Sequence, residues 1–320
     1  GARIGMGSRV RNEIHCHGTH HNVSAAAAAA RLKGYTSSEM ETTIGLATHL
    51  SMMPSFKNAL EGCTVRNVYA AVGSAMGILA SQLATKGFTP EYDAIGSVYG
   101  CVISPWVDNQ RIVEDLGKRF EITLGFIKPY PMCRFGHPAI EAALGLIEHN
   151  SINPKDIKEV EVNTFDWAAA LDDRSPTTDL GAKFSVPWAV ACVLVRGSAG
   201  PDEFRDEALS DQTIRSVSKR VTVKEDTLYS SMTPAKRPAR IKVQTVDGQT
   251  FEWEVFGSAG GPDAPLSDAR VHEKFRILAD PVIGEERASA VIDIVTHLID
   301  LKDISELTRL LMPATAKDSK

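Results

Sequence analysis

No two cysteines in this 320-residue chain stand at Cys-x-x-Cys spacing: the five lie at 16, 63, 101, 133 and 192. That lack excludes a zinc ribbon or an iron–sulfur cluster of the usual spacings, and the odd count reads as reduced thiols instead of a disulfide framework. Long apolar runs are missing too. The longest stretch near helix length, Val186 to Val195, ends at Arg196, far short of the ~18–20 residues that cross a bilayer. No block of basic charge occurs, and the net charge is −5, which argues against nucleic-acid and membrane-surface partners. The first residues, Gly1-Ala2-Arg3-Ile4-Gly5, contain neither an initiating Met nor an apolar signal core. They read as the start of a processed chain or fragment. A soluble, cytoplasmic protein is expected, or a mitochondrial one in a eukaryote. The length suggests about two domains.

What is present begins with alanine. Ser24 precedes Ala25 to Ala30, and Gly34 follows Lys33; the best helix former and a terminal glycine predict a helix there. Further helices are expected from Ser37 or Ser38 to Leu50 and from about Val68 to Lys86. Small residues recur on their faces, as close antiparallel packing requires. Pro138 to Glu148 predicts a helix with proline at its first position. Lys158 to Thr164 and Lys219 to Val223 alternate like strands. Arg240 to Val255 reads as a hairpin turning at Asp247-Gly248, and Lys274–Ala279 and Ala288–Leu301 return to helical periodicity. The expected fold is mainly α with an α+β insert: a helical domain over 1–123, a smaller α+β domain over 124–267, and C-terminal helices over 268–320 completing the first. A cleft between domains is a common small-molecule site.

Three segments can carry chemistry. His15-Cys16-His17-Gly18-Thr19-His20-His21 holds four of the nine histidines. A metal site is one reading, but Glu13 is its sole nearby carboxylate and spacing does not fix ligand geometry; no metal is assigned. A solvated loop is the plain alternative, and a substrate-facing loop the third. The last is favoured by position ahead of the alanine helix, whose first N–H groups suit an anion. Local charge agrees, with Arg3, Arg9, Arg11, Arg31 and Lys33 against Glu13. Lys128-Pro129-Tyr130-Pro131-Met132-Cys133-Arg134-Phe135-Gly136-His137-Pro138 places cationic and proton-transferring groups on a proline-stiffened stretch; a turn between domains would look alike. Thr64 to Tyr69, with Arg66, and Lys183 to Trp188 complete the set. Taken alone, Arg66 reads as a solvated helix-end charge and Trp188 as core.

In order along the chain, these segments resemble the MmgE/PrpD family of 2-methylcitrate dehydratases and cis-aconitate decarboxylases. The resembling elements are His15-x-x-Gly18-Thr19, Gly77 through Gly87-Phe88-Thr89, and Lys128-x-Tyr130-Pro131-x-Cys133-x-x-x-His137-Pro138. Lys183-Phe184-Ser185-x-Pro187 and Gly261-x-x-x-Pro265 ahead of Lys274-Phe275 follow. The resemblance implies an all-helical domain with a smaller lid domain, homodimers, and cofactor-free chemistry on small di- or tricarboxylates. It implies that His15, Lys128 and His137 are catalytic, and that Arg66, Tyr130, Cys133, Arg134 and Trp188 contact substrate. Two positions depart from the family pattern. Arg66 stands where many members have Lys, keeping a carboxylate clamp but not a proton carrier near neutral pH; Trp188 stands where a Tyr is common. A family segment with an acidic, histidine-bearing loop has no counterpart here, so a separate N-terminal segment or chain is a conceivable partner.

The reaction expected is removal of a proton beside a carboxylate, with loss of water, as in 2-methylcitrate dehydration. Arg66, Arg134 and Lys128 would clamp carboxylates while His15 acts as base or acid, supported by His137. An iminodisuccinate-type epimerase and a cis-aconitate-type decarboxylase fit the same cations. An inactive fragment or non-catalytic subunit is the reading of another class.

Overall fold

The computed structural model describes residues 1–312; residues 313–320, the end of the expected C-terminal helical stretch, lie outside the described residues. The chain is mainly helical with a small mixed sheet and divides into two units. One comprises Gly1–Leu124 and Tyr130–Ser258, the other Gly125–Pro129 and the described residues from Ala259 onward.

In the first unit three helices pack together: α1 (His21–Leu32), α2 (Ser37–His49) and α3 (Tyr69–Ala84). The alanine run does what small side chains allow. Ala26 and Ala30 are wholly buried, and a Cβ at Gly77 would stand 2.8 Å from the Ala26 nitrogen, so α1 and α3 approach backbone to backbone. The first helix starts earlier than its composition predicts, at His21 instead of after Ser24, and no side chain caps it. The second starts as expected, because Thr36 and Glu39 form a reciprocal capping box.

Helix α4 (His137–His149) begins with Pro138 in its first turn and buries Ile140, Ala143 and Leu146. Among the described residues the sheet has four strands, β1 (Ile157–Thr164), β2 (Val221–Glu225), β3 (Ala239–Thr245) and β4 (Thr250–Val255), in the order β2-β1-β3-β4. β1 runs parallel to β2 and antiparallel to β3, and β3–β4 is the predicted hairpin. Alternation explains its register: Ala239, Ile241 and Val243 face the core while β4 stays half exposed. Helix α5 (Val186–Arg196) is capped by Ser185, and its long apolar run is core on every side up to Leu194. Helix α6 (Gln212–Lys219) packs Ile214 and Val217 into the same core; its short, polar sequence gave no periodicity long enough to predict it.

In the second unit the Ile127 N–H donates to the Gly260 carbonyl at 2.8 Å. Helices α7 (Asp268–Ile283) and α8 (Glu285–Thr296) follow, joined at Gly284. The first of these is longer than the predicted Lys274–Ala279, because Ser267 caps it upstream and Pro281 sits near its end without stopping it. Among the described residues no helix is long and apolar enough to cross a membrane.

Candidate active site

The loop bearing His15 is pinned on both sides. An isolated antiparallel bridge joins Ile14 to Ser55; the His15 N–H donates to the Pro54 carbonyl at 2.7 Å and the Phe56 N–H to that of Glu13 at 2.8 Å. The loop then turns through Gly18 at φ +94°, where a Cβ would press on Tyr69 at 3.3 Å; this turn needs glycine. The Thr19 hydroxyl donates to the Cys16 carbonyl at 2.6 Å. From the interior, the buried Tyr99 hydroxyl donates to the Thr19 carbonyl at 2.6 Å.

These constraints leave His15 only 2% exposed, ringed by His17, Phe56, Tyr69 and Phe184 at centroid distances of 4.5, 5.4, 6.1 and 6.5 Å. Burial, and then the Arg66 charge, push its pKa down to about 4, so it is neutral near pH 7. Its Nδ1 accepts the His17 backbone N–H at 3.0 Å. The proton of the neutral ring therefore sits on Nε2, which makes His15 a hydrogen-bond donor in this state.

Arg66 lies in the 3₁₀ turn Thr64–Val68 that leads into α3. Its Nη2 is 3.3 Å from His17 Nδ1, and its guanidinium sits 5.6 Å from the centre of the Phe184 ring. Its Nε is buried with no hydrogen-bond partner among the described residues, and no carboxylate among them pairs with it. A half-buried guanidinium in that condition has donor capacity that an anion would satisfy.

Phe184 belongs to the turn that Ser185 closes onto α5, and this turn joins the two halves of the candidate site. The Cys133 N–H donates to the Lys183 carbonyl at 2.8 Å, bringing the Tyr130–Pro138 segment beside the aromatic floor under Arg66. Within that segment His137 is fully buried, with Nε2 3.4 Å from the Met132 carbonyl and Tyr130 edge-on at 5.3 Å. Arg134 is half-buried; burial, then the neighbouring Arg237, lowers its pKa to about 10.

The structure thus brings His15 and Arg66 together across His17 and Phe184 and Cys133 towards them through Lys183–Phe184. Lys128 belongs to the second unit. Trp188, expected to contact substrate, is elsewhere: it is wholly buried and its indole N–H donates to the Glu203 carbonyl at 2.9 Å. A ring sealed in the core with its polar atom satisfied has no edge to offer a ligand. The basic N-terminal segment also differs from its expected role. Arg3 donates to the carbonyls of Glu114 and Arg119 and pairs with Glu121 at 3.3 Å; Arg11 donates to those of Cys101 and Val102, and Arg9 stacks on Trp167. These cations hold the fold instead of an anion. Residues that sequence reasoning left off the site are His17, Phe56, Tyr69 and Phe184. A concavity of about 690 Å³ lined by Arg31, Glu41 and Asp93, among others, includes none of the site residues.

Residues 130–299 match the family model described as the MmgE/PrpD C-terminal domain. The chain is 25% identical over 308 residues to a cis-aconitate decarboxylase-like protein, oryM, of Aspergillus oryzae, covering 90% of this chain and 63% of that one. It is 24% identical to a cis-aconitate decarboxylase of Aspergillus terreus, over 97% of this chain and 68% of the relative. A mouse cis-aconitate decarboxylase is 26% identical over 60% of this chain and 40% of its own length. The chain therefore spans roughly two thirds or less of the curated relatives it matches. With the family model matching more than half of its residues, the chain belongs to the MmgE/PrpD family.

Proposed function

We propose that the chain carries the anion-binding centre of a cofactor-independent lyase acting on a small tricarboxylate, by a 2-methylcitrate dehydratase-type loss of water. The observation that carries this reading is Arg66: a guanidinium with a buried, unpartnered Nε, beside a neutral imidazole whose Nε2 bears a proton. Removing a proton next to a carboxylate drives negative charge onto that carboxylate. Arg66 answers it with fixed charge and His15 with an N–H in an aromatic, water-poor pocket, where such donors act most strongly. Neutral His15 is a poor base, since burial and Arg66 hold its pKa near 4. A bound polyanion opposes both causes, so substrate itself raises His15 towards the range where it protonates a departing hydroxyl. Lys128 remains the proposed ammonium carrier, and Cys133, Arg134 and Tyr130 the proposed contacts of the adjoining segment. His137, enclosed at the start of α4, holds that segment in place.

Decarboxylation of a cis-aconitate-type acid is the second reading, favoured by the relatives' names. The same pair would stabilise the charge left when carbon dioxide departs. Proton NMR of the purified chain with citrate-like acids, with carbon dioxide trapped in parallel, separates the two. An unsaturated acid with no gas supports dehydration; gas with a product one carbon shorter replaces it by decarboxylation. Replacing Arg66 by Gln should weaken acid binding ten- to a hundredfold, as loss of about 1.5–3 kcal/mol from a charged hydrogen bond implies. Equal acid binding by wild type and Arg66→Gln overturns the reading.

A further inference from the structure

We propose that Thr19 is a positioning residue: held from the core by Tyr99, it fixes the Cys16–His17 peptide plane and so dictates which ring nitrogen of His15 carries the proton. That the resulting His15 N–H meets a bound carboxylate rests on the lyase reading; the setting of the tautomer does not.

A trans peptide unit directs its C=O and its N–H to opposite sides of one rigid plane. The carbonyl of the Cys16–His17 unit accepts the Thr19 hydroxyl at 2.6 Å and the Thr19 N–H at 3.4 Å. Its N–H, on the other side, donates to His15 Nδ1 at 3.0 Å. Whatever holds the carbonyl therefore aims the N–H. A ring nitrogen that accepts a main-chain N–H has no proton of its own, so the neutral His15 ring keeps its proton on Nε2.

Thr19 is itself held. It is wholly buried, and its own carbonyl accepts the Tyr99 hydroxyl at 2.6 Å. Because Tyr99 gives its one proton there, the 2.8 Å contact between its oxygen and Ser51 Oγ runs from Ser51, and Asn22 Nδ2 in turn donates to Ser51 Oγ at 2.9 Å. A directed chain thus reaches the loop from α1 and from the segment after α2. The Thr19 hydroxyl fixes a second ring as well. Its proton goes to the Cys16 carbonyl, so at 3.1 Å from His20 Nδ1 it accepts, and His20 carries its proton on Nδ1. One hydroxyl thereby holds His15 and His20 as opposite tautomers. Serine would keep that hydroxyl, whereas valine keeps the shape of threonine and loses it.

Nitrogen-15 NMR of the whole chain, labelled in histidine and held at neutral pH, reads each ring's tautomer, with His15→Gln and His20→Gln assigning the signals. Wild type should show His15 as the Nε2–H form and His20 as the Nδ1–H form. In Thr19→Val the His15 ratio of Nε2–H to Nδ1–H should fall about two- to tenfold, the factor carried by one ordinary hydrogen bond, and Thr19→Ser should restore it. Tyr99→Phe should move the ratio in the same direction. Citrate affinity, measured by calorimetry, should fall about twofold or more in Thr19→Val and recover in Thr19→Ser. Circular dichroism checks that each variant is folded. A wild-type His15 ring protonated on Nδ1, or an unaltered ratio in folded Thr19→Val, overturns the positioning role, and the wild-type spectrum decides even where a variant does not fold. Equal shifts in Thr19→Ser and Thr19→Val overturn it too, since packing and not the hydroxyl would be the cause. Equal citrate binding by wild type and folded Thr19→Val overturns the link to the acid. If the tautomers behave as stated while no citrate-like acid binds wild type, the lyase reading falls and the positioning role stands.

Discussion

Acidification should expose the cost of burying His15 and His20 as neutral rings. Both are pushed from the ordinary 6.5 to about 4, His15 by burial and then Arg66, His20 by burial and then the amino terminus and His21. A lowered histidine pKa means that the unfolded chain binds a proton that the folded chain refuses, so stability falls as pH drops from 6.5 towards 4. Two and a half pH units correspond to at most about 3.4 kcal/mol per ring, and the slope through that window is at most about 1.4 kcal/mol per pH unit for each. Against a typical total of about 5–15 kcal/mol, the pair accounts for a large share of acid sensitivity. The lowered carboxylates, Glu161 and Asp211, add the same sign only below about pH 4.5, under their unfolded values. Urea unfolding at several pH values between 5 and 6.5 therefore reads the histidines alone. His15→Gln should flatten the dependence by up to about 1.4 kcal/mol per pH unit. An unchanged slope in a folded His15→Gln protein, or a His15 imidazole that titrates near 6.5 by NMR, would refute the burial argument.

Three further outcomes follow from individual contacts. Gly18→Ala places a side chain at φ +94° against Tyr69 and should cost about 1–3 kcal/mol in urea unfolding; stability equal to wild type would mean that the loop relaxes freely. Trp188→Phe removes the indole donor to the Glu203 carbonyl and should cost about 1–3 kcal/mol while leaving acid binding intact, and a change in acid affinity at equal stability would return Trp188 to the site. Lys128→Ala should lower turnover roughly a hundredfold or more, the usual contribution of a proton-transferring group; turnover at the wild-type rate would remove Lys128 from the mechanism.

Much of the helical framework and the hairpin was legible because local chemistry and tertiary burial agree there. Thr36 with Glu39, Pro138 and Asp247-Gly248 each dictate a boundary through their own backbone preferences, and β3 alternates as its burial does. Where a boundary has no such residue, sequence reasoning misplaced it: α1 begins at His21, without a capping side chain, because the pinned loop and its packing on α3 set the start. Trp188 shows a different failure. Its motif neighbour Phe184 does meet the site, yet Ser185 starts a helix that is core on every side and encloses the Trp, so proximity along the chain misled.

Charge was the least legible property. Arg3, Arg9, Arg11 and Arg66 are identical in a sequence, and counting the first three with Arg31 and Lys33 against Glu13 predicted a basic segment suited to an anion. Their difference lies in what surrounds each guanidinium. Arg3 and Arg11 meet main-chain carbonyls and Arg9 an indole, so their donors are already engaged by the protein. Arg66 meets an aromatic ring and a histidine nitrogen and keeps a buried Nε without a partner. Desolvating that group is costly unless something anionic completes it. On the proposed function, recognition of a carboxylate would start from this incompletely satisfied cation, whereas Arg3, Arg9 and Arg11 are already engaged by main-chain carbonyls and an indole.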